Sequence, residues 1–267
     1  MKNCFTLAGA TSNNIIPRLR HFTGVTLAEV LITIGIIGVV AALTIPSLIT
    51  NYQKLETVTK LKKIYSDLQT LILQYDNEFS CDTNLGNCAP ESMQFEHTFA
   101  EYLINKHNFK LIKPYMPDNF YIKYYDFYGE QKTNMHWQGG YVLQPASGAY
   151  IISVGQNGSN QLGNAYFSGM PYQSPATKIR CEIVIFTNPN SYYKEKARIG
   201  KNIFFAFVAQ NERLLPGGSP YCYGNGHRCL SYKMYNSCDL NAKGGYMSDG
   251  YGCFQKIIDD GWKIKYY

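Results

Sequence analysis

Gly24-Val25-Thr26-Leu27-Ala28-Glu29 opens an apolar run that continues to Ile45-Pro46. Upstream lies a leader carrying Lys2, Arg18 and Arg20 and no acid. From Val30 to Gln53 no residue is charged, and between Val30 and Ile45 the only polar side chains are Thr33 and Thr44. Threonine hydroxyls can bond back to the carbonyls of their own helix, so they do not forbid burial. A run of ~20 apolar residues at ~1.5 Å rise matches a hydrocarbon core ~30 Å thick, which predicts a membrane-spanning helix. In a secretory signal peptide the small cleavable residue follows a shorter apolar core. Here the small residue, Gly24, precedes it. Glu29 is the anomaly, because an acidic group costs ~2.5 kcal/mol or more at the centre of a span. One reading lets Glu29 snorkel to the headgroups, and the other supplies it with a positive partner.

Together these residues resemble the processing site and N-terminal helix of the type IV prepilins and of the pseudopilins of type II secretion. Residues 17–50 carry the resemblance. It implies cleavage after Gly24 by a prepilin peptidase and methylation of the new amino terminus at Val25. It assigns Glu29 to pair with the Val25 ammonium of a neighbouring subunit in a filament. Two buried opposite charges offset each other, whereas one alone does not. A glycine within the span (Gly35 and Gly38 are candidates) and Pro46 also fit the family pattern. In that family the proline accompanies loosening of the helix during packing into the fibre. Val25 departs from it, since most members carry phenylalanine there. The implied partners are homologous pilin subunits, the peptidase and the inner membrane, and no cofactor is implied.

Pro46 lacks a backbone donor and is expected to kink or locally unwind the helix. Gly35, Gly38, Ala41 and Ala42 recur at three- and four-residue spacing, which lets helices approach closely in lipid. Glycine is also simply common in membrane helices. Charge alone does not orient the span, because Lys54, Lys60, Lys62 and Lys63 balance the leader's cations. The cleavage motif and the cysteines place the N-terminus in the cytoplasm. The expectation is a single-pass inner-membrane protein with an extracytoplasmic C-terminal domain, found after assembly in a surface or periplasmic filament.

The expected divisions are a leader at 1–24, a transmembrane and assembly helix at 25–50, and an extracytoplasmic domain at 51–267. Without its leader the chain has 22 basic and 19 acidic residues, a net charge of +3. That is too small to argue for nucleic acid. The last division, roughly 215 residues, is long enough for one domain with a real core. By the resemblance it is large for a major pilin, which favours a minor or specialised subunit.

Cys4 lies in the leader, and seven cysteines remain. Four of them crowd the end of the chain among Gly, Asn, Ser and Tyr, a pattern of disulfide stapling outside the cytoplasm. Cys181 sits in the apolar run Cys181-Glu182-Ile183-Val184-Ile185-Phe186 and reads as a buried thiol. Six cysteines allow about 15 pairings. The expected pairing uses local loops: Cys81–Cys88, Cys222–Cys229 and Cys238–Cys253. The rival is a zinc site from Cys222, His227, Cys229 and Cys238, but no Cys-x-x-Cys pair exists to support it. Asp239 and Asp249 are weak calcium candidates whose surroundings lack the pseudopilin ligand pattern.

Beyond the span, Leu55, Val58, Leu61, Tyr65, Leu68, Ile72 and Tyr75 recur every three to four residues, predicting an amphipathic helix continuous with the first. Unbroken from Val25 to Asn77, it would be ~80 Å long. The turn formers between Cys81 and Pro90 end it. A second helix is expected with Phe95, Phe99, Tyr102 and Leu103 on one face and Glu91, Glu96 and Glu101 elsewhere. The tyrosines 115, 121, 124, 125 and 128 either build a ligand face or pad the join between helix and sheet. Gly140–Leu143 and Ala149–Val154 flank a hairpin signature. Cys181–Thr187 and Ile203–Val208 are apolar on both faces, as central strands are. Leu214-Leu215-Pro216-Gly217-Gly218 is expected to terminate the last strand. Cys253 to Gly261 reads as a short helix, with Trp262 and Ile264 packing back onto the core. Helices followed by strands predict α+β, and the resemblance makes this the pilin architecture: a long N-terminal helix on an antiparallel sheet, with disulfide-bounded C-terminal loops.

Nucleotide-loop, dinucleotide-turn, zinc-protease and serine-hydrolase motifs are all absent, so the chain does not read as an enzyme. The expected function is structural, as a subunit of a pilus or pseudopilus. The alternative is a minor pilin that binds DNA, a surface or a secreted substrate, for which Lys60, Lys62 and Lys63 offer a small basic patch.

Overall fold

The computed structural model describes residues 25–79, 95–114, 123–132, 140–156, 179–209, 214–217, 222–223, 228–229, 238, 250 and 252–267. The chain divides into two units, Met1–Ile49 and Thr50–Tyr267.

Helix α1 spans Leu27–Glu78, 52 residues, and runs through Pro46 without a break. The expected local unwinding is therefore not present in the single chain. Proline costs one hydrogen bond, which the adjoining turns of a long helix can absorb.

In the second unit α1 buries Val58, Leu61, Ile64, Leu68, Ile72 and Tyr75. This corrects the expected stripe at both ends of its first turns. Leu55 is 66% exposed, because the domain's cover begins at Val58. Ile64 is fully packed where Tyr65 was expected, and Tyr65 is half-buried beside it with its hydroxyl directed at the Leu214 carbonyl. Helix α2, Phe95–His107, sets Phe99 and Tyr102 edge-on to Tyr75, at 5.5 and 5.2 Å between centroids. Leu103 is buried and Glu101 exposed, as the pattern requires. Glu91 lies outside the described residues.

The main sheet has six antiparallel strands: β1 Lys110–Lys113, β4 Gly140–Gln144, β5 Ile151–Gln156, β6 Ile179–Phe186, β7 Ile203–Ala209 and β8 Leu215–Pro216, in the order β1-β4-β5-β6-β7-β8. Strands β4 and β5 form the expected hairpin, closed by Gly148 at φ +65° donating to the Pro145 carbonyl. Strands β6 and β7 are central and buried on both faces. Strand β8 corrects the terminator reading. After the described part of β7, Leu215 and Pro216 return to pair with Phe207 and Ala206. Proline is tolerated there because an edge strand leaves one row of groups unpaired.

Helix α4, Cys253–Asp259, rests its Phe254 against Phe204 of β7, opposite Ile185 in register. Gly261, at φ +72°, ends this helix with paired bonds from Gly261 N–H to Ile258 and from Trp262 N–H to Ile257, as Schellman caps do. Ile264 is buried and Trp262 packs against the core. On the other face of the sheet Phe186 meets Tyr192 of a short helix α3, Pro189–Tyr193, capped by the Asn188 side chain. The pair Asn188-Pro189 is a helix-start signal overlooked in sequence.

The remaining strands are β2 Tyr124–Tyr125 with β3 Gln131–Lys132, and β9 Cys222–Tyr223 with β10 Arg228–Cys229. Tyr124, Tyr125 and Tyr128 are half-buried, and the β2 backbone bonds to Ala197 and Ile199. Tyr115 and Tyr121 lie outside the described residues. The described secondary structure is thus α+β, with a long apolar N-terminal helix and a six-stranded antiparallel sheet.

Candidate functional site at the start of the first helix

The first turn of α1 is closed by two side chains that bond each other's backbone. Thr26 Oγ1 accepts from the Glu29 N–H at 3.2 Å. Glu29 Oε2 accepts from both the Thr26 N–H and the Thr26 hydroxyl, each at 2.8 Å. Thr26-Leu27-Ala28-Glu29 is therefore a capping box, which satisfies donors that a helix start leaves unpaired. The carboxylate also sits at the positive end of the helix dipole. The Thr-x-x-Glu spacing is legible in the sequence, but reading Glu29 only as a charge misses it. Gly24 lies outside the described residues, and Val25 is exposed.

Every residue from Val25 to Gln53 is exposed except Ala41, which is half-buried. Fourteen large apolar side chains lie in the open between Val25 and Ile49. Burying each is worth roughly 1.5–3 kcal/mol, so covering all of them is worth tens of kcal/mol. Helix α1 is the one helix among the described residues long and apolar enough to cross a membrane. Within it Thr33 Oγ1 donates to the Val30 carbonyl and Thr44 Oγ1 to the Val40 carbonyl, both at 2.9 Å, as burial demands. A Cβ added at Gly35 or Gly38 meets nothing within 4 Å in the chain. The fold itself gives no steric reason for either glycine.

The other predicted residues are distributed through the second unit. Cys238 and Cys253 form a disulfide, which anchors the start of α4. Cys238 is thereby oxidised and lost as a ligand from the rival zinc set, whose His227 lies outside the described residues. The β9–β10 register places Cys229 opposite Cys222. The side chains of that pair, and both Cys81 and Cys88, are outside the described residues, as are Asp239 and Asp249. Cys181 is a buried thiol outside the Cys238–Cys253 disulfide. Among the described residues no cluster of His, Cys, Asp and Glu is arranged to hold a metal ion. Of the candidate basic patch, Lys60 pairs with Glu56 at 2.6 Å and Lys62 lies over the Trp262 ring.

One buried acid was not foreseen as such. Glu182, in the middle of β6, faces Gly155 on one side and Phe207 on the other in register. It is 4% exposed, and among the described residues its Oε1 has no hydrogen-bond partner. Burial pushes its carboxyl up to about 8, which favours the protonated form.

No family model, no curated protein and no solved structure matches this chain.

Proposed function

We propose that the chain is the precursor of a structural subunit of a type IV pilus or type II secretion pseudopilus, with a pilin-like fold. Prepilin peptidase would cut after Gly24, Val25 would be methylated, and residues 25–50 would hold the subunit in the inner membrane before packing against like helices in a filament. The observation that carries this reading is the exposed apolar face from Val25 to Ile49, headed by a single carboxylate, Glu29. That surface needs covering twice over, by lipid before assembly and by other subunits after it. The disulfide at Cys238–Cys253 supports an extracytoplasmic domain.

Intact-mass spectrometry of the protein from its native membrane tests this directly. The expected mass is that of a chain beginning at Val25 with one added methyl, rising on reduction by two hydrogens per disulfide. A mass corresponding to a chain that still begins at Met1 would refute the processing site.

A further inference from the structure

Immediately after the charge-free run, cations gather around one ring. Lys54 Nζ lies 4.8 Å from the centroid of Tyr267, and Lys201 Nζ lies 5.5 Å from it. Arg198 is near enough for its positive charge to act on the Tyr267 hydroxyl. Two turns further along α1, Lys62 Nζ stands 5.6 Å from the Trp262 centroid. Among the described residues Lys54, Lys62 and Lys201 have no carboxylate partner. Glu56 of α1 already binds Lys60, and Asp260 binds both Lys256 and Lys265.

Lysines held over aromatic faces keep their charge while their stems are ordered. The surface is therefore preset for an anion. Its place in the chain selects which one. Lys54 directly follows Gln53, the last residue of the charge-free run, and Tyr52 beside it is 66% exposed. Tyrosine, tryptophan and lysine are the side chains that settle at the headgroup level, where ring and stem meet hydrocarbon and the polar ends meet phosphate. We propose that Lys54, Lys201 and Tyr267 form a docking surface for anionic phospholipid headgroups of the membrane that α1 crosses. The surface would fix the subunit against the bilayer before assembly. This rests on α1 being a membrane span, and is independent of cleavage and of filament formation.

The test uses the full chain reconstituted in phosphatidylcholine vesicles with and without phosphatidylglycerol. Lysine acylation is read residue by residue by mass spectrometry. Lys54 and Lys201 should be protected several-fold in the anionic vesicles, with Lys110 and Lys194 as unprotected references, and high salt should abolish the difference. Equal reactivity of Lys54 and Lys201 in the two lipids would overturn the proposal. Equal protection by inorganic phosphate in phosphatidylcholine vesicles would overturn the lipid assignment. Carbonate extraction separates the two claims. Release of the chain by carbonate refutes the span itself, whereas a carbonate-resistant chain with unprotected lysines refutes the docking surface alone.

Discussion

The Glu29 carboxylate is folded back onto Thr26, accepting from its backbone N–H and its hydroxyl at 2.8 Å each. The residue proposed to bind a neighbour's ammonium is thus already bonded within its own helix start. A partner ammonium must either share this carboxylate or displace Thr26 from it. Charge and cap can be separated, because glutamine preserves the cap's acceptor oxygen and removes the charge. Glu29→Gln and Glu29→Leu should both be processed and remain in the membrane, and both should fail to enter filaments. Normal filament incorporation of the glutamine variant would reduce the role of Glu29 to capping.

Gly24→Ala should block or strongly slow removal of the leader. Intact mass or gel mobility of the accumulated protein reads this. Wild-type processing of the variant would move the cleavage site elsewhere.

Glu182 gives the fold a pH dependence of definite sign. Its carboxyl is raised from 4.5 to about 8 by burial, so between those values the folded chain holds a proton that the unfolded chain releases. Its stabilising contribution is greatest relative to the ionised state below pH 4.5, falls as pH rises through this window, and is fully lost above about 8. The span of the effect is on the order of 5 kcal/mol. Thermal unfolding in detergent should show a lower Tm at pH 8 than at pH 5, and Glu182→Gln should flatten that difference. An unchanged slope in the variant would assign it to other groups.

Gly200 and Gly261 share a φ of +72° but not their surroundings. A Cβ on Gly200 would stand 2.8 Å from Phe127 Cδ2 and 3.0 Å from Cys253 Sγ, while one on Gly261 meets nothing within 4 Å. Gly261→Ala should cost about 1 kcal/mol from backbone strain alone. Gly200→Ala adds overpacking and should cost about 2–4 kcal/mol. Equal losses in denaturant titrations would mean that the Gly200 pocket relaxes freely.

Reduction, or Cys253→Ser, should destabilise the second unit by about 3 kcal/mol, the loop-closure value for a separation of 15 residues. A midpoint insensitive to reductant would show that α4 holds its place by packing alone.

What the sequence made legible follows from periodicity. The runs at 181–187 and 203–208 are almost continuously apolar, as central strands are, and both are central strands. Periodicity does not say where a covering layer ends, so it puts Leu55 inside and gives Tyr65 the place that Ile64 takes. It also hides residues that break a pattern. Lys110 and Lys113 mask the edge strand β1, and Glu182 disappears into an apolar run although it is the one acid there. At the helix start, the residue types were read for chemistry between molecules, while the same Thr and Glu were bonding each other.

The aromatic contacts of α1 have a mechanical consequence. Tyr65 packs on Phe254 at 5.5 Å and on Trp262 at 6.3 Å, and α4 is tied through Cys253 to Cys238. Tension along α1 therefore loads these rings in shear, all together, instead of peeling strands apart one hydrogen bond at a time. Phe254 also packs on Phe204 of β7, so the force enters the sheet through packed rings, at the start of a helix that the disulfide holds in place.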